Sequence, residues 1–585
     1  MCGIAGYIGN RNATDVLFNM LKRLEYRGYD SAGVAVMDGS IRIFKGKGRV
    51  DEVRKTADLK LKTLNGIGHT RWATHGEPSQ PNAHPHTDCT GKIAIAHNGI
   101  IENHKQLKKA LEKRGHKFKS ETDSEVIAHL IEEGKGDFEQ RFISSLSKLD
   151  GSYAVLAINK DEPGKILLAK KDSPILIGVG KNENFIASDM PAVLPETKKR
   201  ILLEDGEYAI VTQNKVVIKE IKDPETEVNR KPETVTWNME QAEKGGYEHF
   251  MLKEIFEQPQ SIRDALKARQ ETEGVIRKIG KKRLVFVGCG TAYHSTLVAK
   301  YILQEFGINA QCEMASEFRY SSVKGLDQNS IVVAVSQSGE TADTIAAVRE
   351  AGRRSIPVVS VVNVVGSTLS RVSDYVIYSR SGPEVAVAST KAYIGQVTVL
   401  TMLSLLMAGK QSLLRELNKV PEEIEKILDG AEKIKKLAKK LEKTEDYFYI
   451  ARGINLPTAM EGSLKLKEIS YLHAEAYAAG ELKHGPLALM ENKVCVVAIN
   501  PHNRLYEKTS SNIQEARTRK ARILELTDGR SFMVKDSTIT TPSVNPVFAP
   551  LTMIIPLQLL SYYAAVSKGY DPDYPRNLAK SVTVE

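Results

Sequence analysis

Paired cysteines, blocks of one charge and long apolar runs are what this sequence has least of. Its five cysteines (Cys2, Cys89, Cys289, Cys312, Cys495) are odd in number and scattered over 585 residues. That excludes a disulfide framework and fits a reducing, cytoplasmic compartment. Their spacing suits no paired zinc motif, and no metal is expected. Lys plus Arg exceed Asp plus Glu, 82 to 72, but the basic residues lie among acidic ones in helical patterns such as Lys433 to Lys443. These read as solvated helix faces, so no nucleic-acid partner is expected. Only two uncharged stretches approach the length of a membrane span, Ala392 to Gly409 and Val547 to Val566. The second holds Pro550, Pro556 and Gln558, and each closes a domain-sized segment. Both are expected to be buried core helices, with no membrane contact. No apolar core of signal-peptide length precedes the charges that follow residue 10. A complete dinucleotide fingerprint is missing too. Gly288-Cys289-Gly290-Thr291 follows a strand, but Tyr293 takes the place of the third glycine, so no such cofactor is expected.

What is present begins at residue 2. Removal of Met1 before a small residue would leave Cys2 with a thiol and a free α-amine, a nucleophile carrying its own base. Taken alone, Cys2 could equally be a small apolar residue beside a first strand.

The length implies about three or four domains. Up to residue 222 the chain shows short β-branched runs (Ile41 to Phe44, Ile93 to Ala96, Ala154 to Ile158, Ile166 to Ala169, Tyr208 to Val211) with helical patterns between them. This predicts stacked antiparallel sheets flanked by helices. Residues 223–246, with Pro224, Pro232 and Gly245-Gly246, read as a linker. Beyond it strands and helices alternate, and the chain repeats weakly. Leu284 to Gly288 resembles Tyr447 to Ala451, Ser316 to Phe318 resembles Gly480 to Leu482, and Ile331 to Val335 resembles Val494 to Ala498. The constant offset predicts two copies of one doubly wound, parallel α/β domain, 247–420 and 421–569, followed by a tail, 570–585.

Four blocks accompany Cys2: Arg23 to Gly33, Gly68 to Gly76, His97-Asn98-Gly99 and Glu121 to Ser124. An enzyme taking ammonia from glutamine needs a cation for the α-carboxylate, an anion for the α-ammonium and donors for an oxyanion. Arg71, Asp123, and Asn98 with the Gly99 N–H are of the right types. Asn98-Gly99 is also the commonest hairpin-turn dipeptide. His69, His75, His84 and His86 invite a metal reading, but Pro81 and Pro85 break any helix that would align them. Together the blocks resemble the N-terminal-nucleophile glutaminase domain of class II glutamine amidotransferases, over residues 2–222. The resemblance implies an αββα fold with Cys2 as nucleophile, its α-amine as base, and Asn98 and Gly99 as oxyanion hole. Arg71, Thr74, His75 and Asp123 would bind glutamine, and Trp72 would gate an ammonia passage.

In the first repeat, Ser336-Gln337-Ser338-Gly339-Glu340-Thr341 follows an apolar strand and opens a helix, a dense set of hydroxyls suited to a phosphate. In the second, Glu461, Lys465 and Glu468 share one helical face, as a plain salt-bridged helix would. His484 sits nearby in a glycine-bracketed loop. The chain closes on an apolar tail whose one lysine is Lys580. These features resemble sugar isomerase (SIS) domains, and the whole chain resembles amidotransferases that aminate fructose 6-phosphate. The resemblance implies that Ser336, Gln337, Ser338 and Thr341 hold a sugar phosphate, with Thr291, Ser389 and Ala579 nearby. Lys580 would form a Schiff base, His484 assist ring opening, and Glu468 move a proton between C1 and C2, with Glu461 and Lys465 completing the site. L-Glutamine and D-fructose 6-phosphate are the implied substrates, a homodimer the implied assembly, and no cofactor is required. Ala292 departs from the serine expected in many relatives.

Other amidotransferases sharing the glutaminase need a phosphoribosyl loop or a Ser-Gly-Gly nucleotide loop, and neither occurs after residue 220. A sugar-phosphate sensor would have no use for Cys2, Glu468, His484 and Lys580 together. A deaminase running the sugar half backward would have no use for an intact glutaminase.

Overall fold

The computed structural model describes residues 2–73, 75–235, 244–531 and 537–583. The chain divides into two compact units, Met1–Ala242 with Ala579–Glu585, and Glu243–Leu578.

In the first unit an eight-stranded and a six-stranded sheet form from antiparallel pairs. Strand β1 (Gly3–Ile8) lies between Asn184–Ala187 and β2 (Asn65–Arg71). In the other sheet β3 (Ile93–Ile101) pairs with β4 (Gly151–Asn159). Alternation sets the layers, because successive side chains leave opposite faces. Ile4 and Ile8 of β1 meet Ala154 and Leu156 of β4 in a core between the sheets. Ala5 and Tyr7 turn the other way, onto the helix Ala13–Leu24. Tyr153, Val155 and Ala157 turn onto helix α1 (Glu125–Glu133) and the helix Phe138–Leu146. The unit is therefore helix, sheet, sheet, helix. All five expected strand segments fall within strands, and Glu233–Thr234, at the edge of the larger sheet, belongs to the stretch read as a linker.

The second unit holds two parallel five-stranded sheets. The first is built from β5 (Arg283–Gly288), β6 (Ala310–Met314), β7 (Ser330–Ser336), β8 (Val358–Val362) and β9 (Tyr375–Tyr378), in the order β6-β5-β7-β8-β9. The second is built from β10 (Asp446–Ala451), β11 (His473–Ala478), β12 (Val494–Ile499), β13 (Arg522–Thr527) and β14 (Thr538–Thr540), in the order β11-β10-β12-β13-β14. The two orders are the same, as a repeat requires. In each, the order reverses between the first and third strands, where open α/β sheets place ligands. Ile331, Val333 and Val335 of β7 and Cys495, Val497 and Ile499 of β12 enter one core common to both copies. Val332 and Ala334, and Val496 and Ala498, face separate outer cores.

The two uncharged stretches are helices Lys391–Met407 and Ala549–Ser567. The segment Pro546–Ser567 is long and apolar enough to cross a membrane, but 94% of its most apolar window is buried inside the protein. The tail does not fray within this unit. Asp573 is buried and accepts the Phe250 and Met251 N–H groups at 2.8 Å each. Arg576 lies over the Tyr471 ring, 4.1 Å from its centroid.

Candidate active sites

The first site forms where β1, β2 and β3 converge. The Cys2 thiol lies against Trp72, accepting its N–H at 3.3 Å and standing 3.5 Å from its carbonyl. Asn98 Nδ2 donates to the Cys2 carbonyl at 3.0 Å, and Arg27, held by Asp189 at 2.7 Å, donates to the same oxygen. Asn98-Gly99 is not a hairpin turn. It lies within β3, paired with Ala154 and Tyr153. Gly99 has φ +128°, and a Cβ there would stand 2.1 Å from the Ser152 carbonyl oxygen, so only glycine fits.

Arg71 ends β2 and is buried, its guanidinium donating to the carbonyls of His75, Gly76 and Glu77. Asp123 precedes α1 and accepts the Ile101 N–H at 2.8 Å. Burial pushes the Cys2 thiol up; the chain's amino terminus and Arg71 oppose this, and Asp123 adds to it. The thiol therefore keeps its proton until a base removes it, with a cation and an anion within electrostatic reach. The ring of His75 packs edge-on against His104. Thr74 lies outside the described residues. The rings of His69, His84 and His86 pack in succession, the first pair tilted at 4.1 Å and the second edge-on at 4.4 Å between centroids, and burial drives His69 down to about 3. They are neutral core histidines.

In the second unit, helix α2 (Thr291–Glu305) follows β5, helix α3 (Ala342–Arg353) follows β7, and helix α4 (Leu456–Ser470) follows β10. On α4, Lys465 Nζ stands 2.5 Å from Glu468 and 3.4 Å from Glu461. The Lys465 side chain is 1% exposed, that of Glu461 0% and that of Glu468 19%, so this is no surface salt bridge. Thr291 closes the group, donating to Glu461 at 3.0 Å and accepting from Lys465 at 3.3 Å. Burial alone would lower the Lys465 ammonium, but Glu468 and Glu461 outweigh it and hold it raised. Burial raises the Glu468 carboxyl, with Lys465 pulling against it.

The hydroxyl loop leaves β7 at the sheet's switch point. Ser336 Oγ lies 3.1 Å from Thr341 Oγ1 and accepts the Gly339 N–H at 3.0 Å, and Ser338 Oγ accepts the Glu340 N–H. The Gln337 carbonyl holds the Asn363 N–H, tying the loop to the end of β8. Gly339 has φ +66°, and a Cβ there would meet Ser367 Oγ at 2.1 Å. Ser389 donates to Glu384 at 3.0 Å. His484 is exposed in the short helix Ala479–His484. Ala579 and Lys580 group with the first unit.

Residues 279–406 and 440–568 match the SIS domain family, and residues 69–195 match the glutamine amidotransferase domain. Over its whole length the chain is 51% identical to the glutamine–fructose-6-phosphate aminotransferase (isomerizing) of Pyrococcus horikoshii and 49% identical to that of Thermococcus kodakarensis. Each alignment covers 100% of both proteins. The chain belongs to this aminotransferase family. The C-terminal domain of glucosamine-fructose-6-phosphate aminotransferase from Francisella tularensis is similar in structure, with a TM-score of 0.53 and 34% identity, over 57% of this chain and 99% of that one. Two residues of this family member escaped sequence reasoning. His294 Nδ1 stands 2.8 Å from Glu461, across 167 positions, and Glu384 accepts the Thr390 and Ala392 N–H groups while adding to the field on Lys465. Neither lies in a motif.

Proposed function

We propose that the chain makes D-glucosamine 6-phosphate and L-glutamate from D-fructose 6-phosphate and L-glutamine, with the residues in the following roles. With Met1 removed, the Cys2 α-amine takes the thiol proton and the thiolate attacks the glutamine amide carbon. The Cys2 α-ammonium then gives that proton to the leaving nitrogen, the C–N bond breaks to release ammonia, and water cleaves the remaining thioester to L-glutamate and the free thiol. Asn98 Nδ2 and the Gly99 N–H stabilise the oxyanion. Arg71 binds the α-carboxylate and Asp123 the α-ammonium, aided by His75 and Thr74. Trp72, whose backbone brackets the thiol, gates the released ammonia, which must be kept from water to stay unprotonated.

In the sugar half, Ser336, Gln337, Ser338 and Thr341 hold the phosphate, with Thr291, Ser389 and Ala579 alongside. His484 assists ring opening. The Lys580 amine adds to the C2 ketone and water leaves, giving an iminium that acidifies C1. Ammonia displaces the lysine. Glu468 takes the C1 proton, from the lysine iminium when no ammonia is present and from the ammonia imine in turnover, and protonation at C2 yields the 2-amino aldose. Lys465 and Glu461 fix the charge and position of Glu468. The reading includes a cytoplasmic homodimer.

One observation carries the reading. A nucleophile set suited to glutamine, a loop dense in hydroxyls and a helix with a buried Glu–Lys–Glu group occur in one chain, whose relatives share its full length. The test is product analysis with amide-¹⁵N glutamine and fructose 6-phosphate. Labelled glucosamine 6-phosphate should form, Cys2→Ala should make it only from added ammonia, and Lys580→Ala should make none. Glutamine consumption without a labelled amino sugar would refute the acceptor.

A further inference from the structure

Outside both sites, four side chains of the first unit turn their ligand atoms toward one point. Cys89 comes from the turn between His86–Thr87 and β3, His116 from the segment before α1, and His129 and Glu132 from one face of α1. Cys89 Sγ lies 3.7 Å from His116 Nδ1 and 3.6 Å from His129 Nδ1. Glu132 Oε2 lies 3.0 Å from His116 Nδ1 and 3.2 Å from His129 Nδ1. All four atoms fall within 4.8 Å of one another.

These are edges of a tetrahedron of metal-site size. Zinc bonds of ~2.3 Å to sulfur and ~2.0–2.1 Å to nitrogen or oxygen give S···N edges of roughly 3.5 Å and N···O edges of roughly 3.3 Å. The surroundings fit as well. A metal-bound imidazole is usually oriented by a carboxylate behind its other nitrogen. His129 Nε2 faces Glu125 at 3.6 Å, and His116 Nε2 faces Glu133 at 3.9 Å. The Lys117 N–H points at Cys89 Sγ at 3.4 Å, as donors do around thiolates.

We propose that Cys89, His116, His129 and Glu132 bind one zinc ion as a closed structural site. Binding releases the Cys89 proton, both imidazoles coordinate as neutral rings through Nδ1, and the thiolate and carboxylate balance the charge of the ion. Four protein ligands leave no open position, so the ion does no chemistry itself. It clamps the Cys89 turn and the His116 segment to α1, the helix that follows Asp123. Sequence spacing gave no sign of it, because the ligands lie 27, 13 and 3 residues apart.

The test uses tag-free full-length protein carrying Cys2→Ala, so that the amino-terminal thiol cannot compete, stripped with a chelator and titrated with Co²⁺ and then Zn²⁺. One Co²⁺ per chain should bind, with tetrahedral visible bands and a thiolate charge-transfer band in the near ultraviolet, both displaced by Zn²⁺. Cys89→Ser, with an unchanged circular dichroism spectrum, should lose the charge-transfer band. His116→Gln should weaken zinc binding at least about tenfold. Failure to take up stoichiometric metal, or a cobalt spectrum identical in Cys89→Ser, would overturn the proposal.

Discussion

Asn98 Nδ2 sits 3.0 Å from the carbonyl oxygen of Cys2, so the donor assigned to the oxyanion already rests on the nucleophile's own backbone. In the proposed role it meets charge that appears only in the transition state. Asn98→Ala should therefore lower the glutaminase kcat by ~10²–10³-fold while changing KM little. Steady-state glutamate release measures this. A rise in KM at constant kcat would mean that Asn98 only binds substrate.

The proton-transfer role proposed for Glu468 has a pH signature. Burial lifts its carboxyl above the ordinary value, with Lys465 pulling it down. Exchange of the fructose 6-phosphate C1 proton into deuterated water, followed by NMR without glutamine or ammonia, should fail on the acid side at a pH above about 4.3. Lys465→Met removes the opposing pull and should move that limb further up; a downward move would contradict the assignment. The same raised value bears on stability. Between the unfolded and folded values the native chain holds a proton that the unfolded chain has released, so the Glu468 contribution falls as pH rises through that window.

Gly339 tests the cradle apart from the glutaminase. In Gly339→Ala the new methyl meets Ser367 Oγ and the backbone must leave its positive φ. The apparent KM for fructose 6-phosphate should rise by about tenfold or more, equivalent to ~1.4 kcal/mol, while glutamine hydrolysis without the sugar is unchanged. An unaltered KM would place the phosphate elsewhere.

Asp573 anchors the tail. Asp573→Ala leaves the Phe250 and Met251 N–H groups without their acceptor, at a cost of ~1–3 kcal/mol each if they stay buried. Thermal unfolding should shift down by several degrees, and amino-sugar synthesis should fall more than glutamine hydrolysis. Equal losses of both would argue for general unfolding.

The fold was largely legible because its signals are local. The β-branched runs up to residue 222 fall on strands, and the constant repeat offset becomes two sheets of one strand order. Cys2, Asn98 and the Ser336 to Thr341 loop stand out in the sequence for the same reason, each lying in a contiguous block. Asn98-Gly99 shows where local chemistry misleads, since the turn dipeptide is held straight by Ala154 and Tyr153 across the sheet. His294 and Glu384 were not legible because their partners are distant in sequence. The cluster around Cys89 was hidden because three separate segments supply it.

The core shared by β7 and β12 carries a historical consequence. A lone ancestral copy would have exposed that face and could have covered it by pairing with its twin. Fusing two such copies into one gene makes that partnership permanent and lets the halves diverge. One copy keeps the hydroxyl loop after β7, while the other carries the ion-paired Glu461, Lys465 and Glu468 of α4.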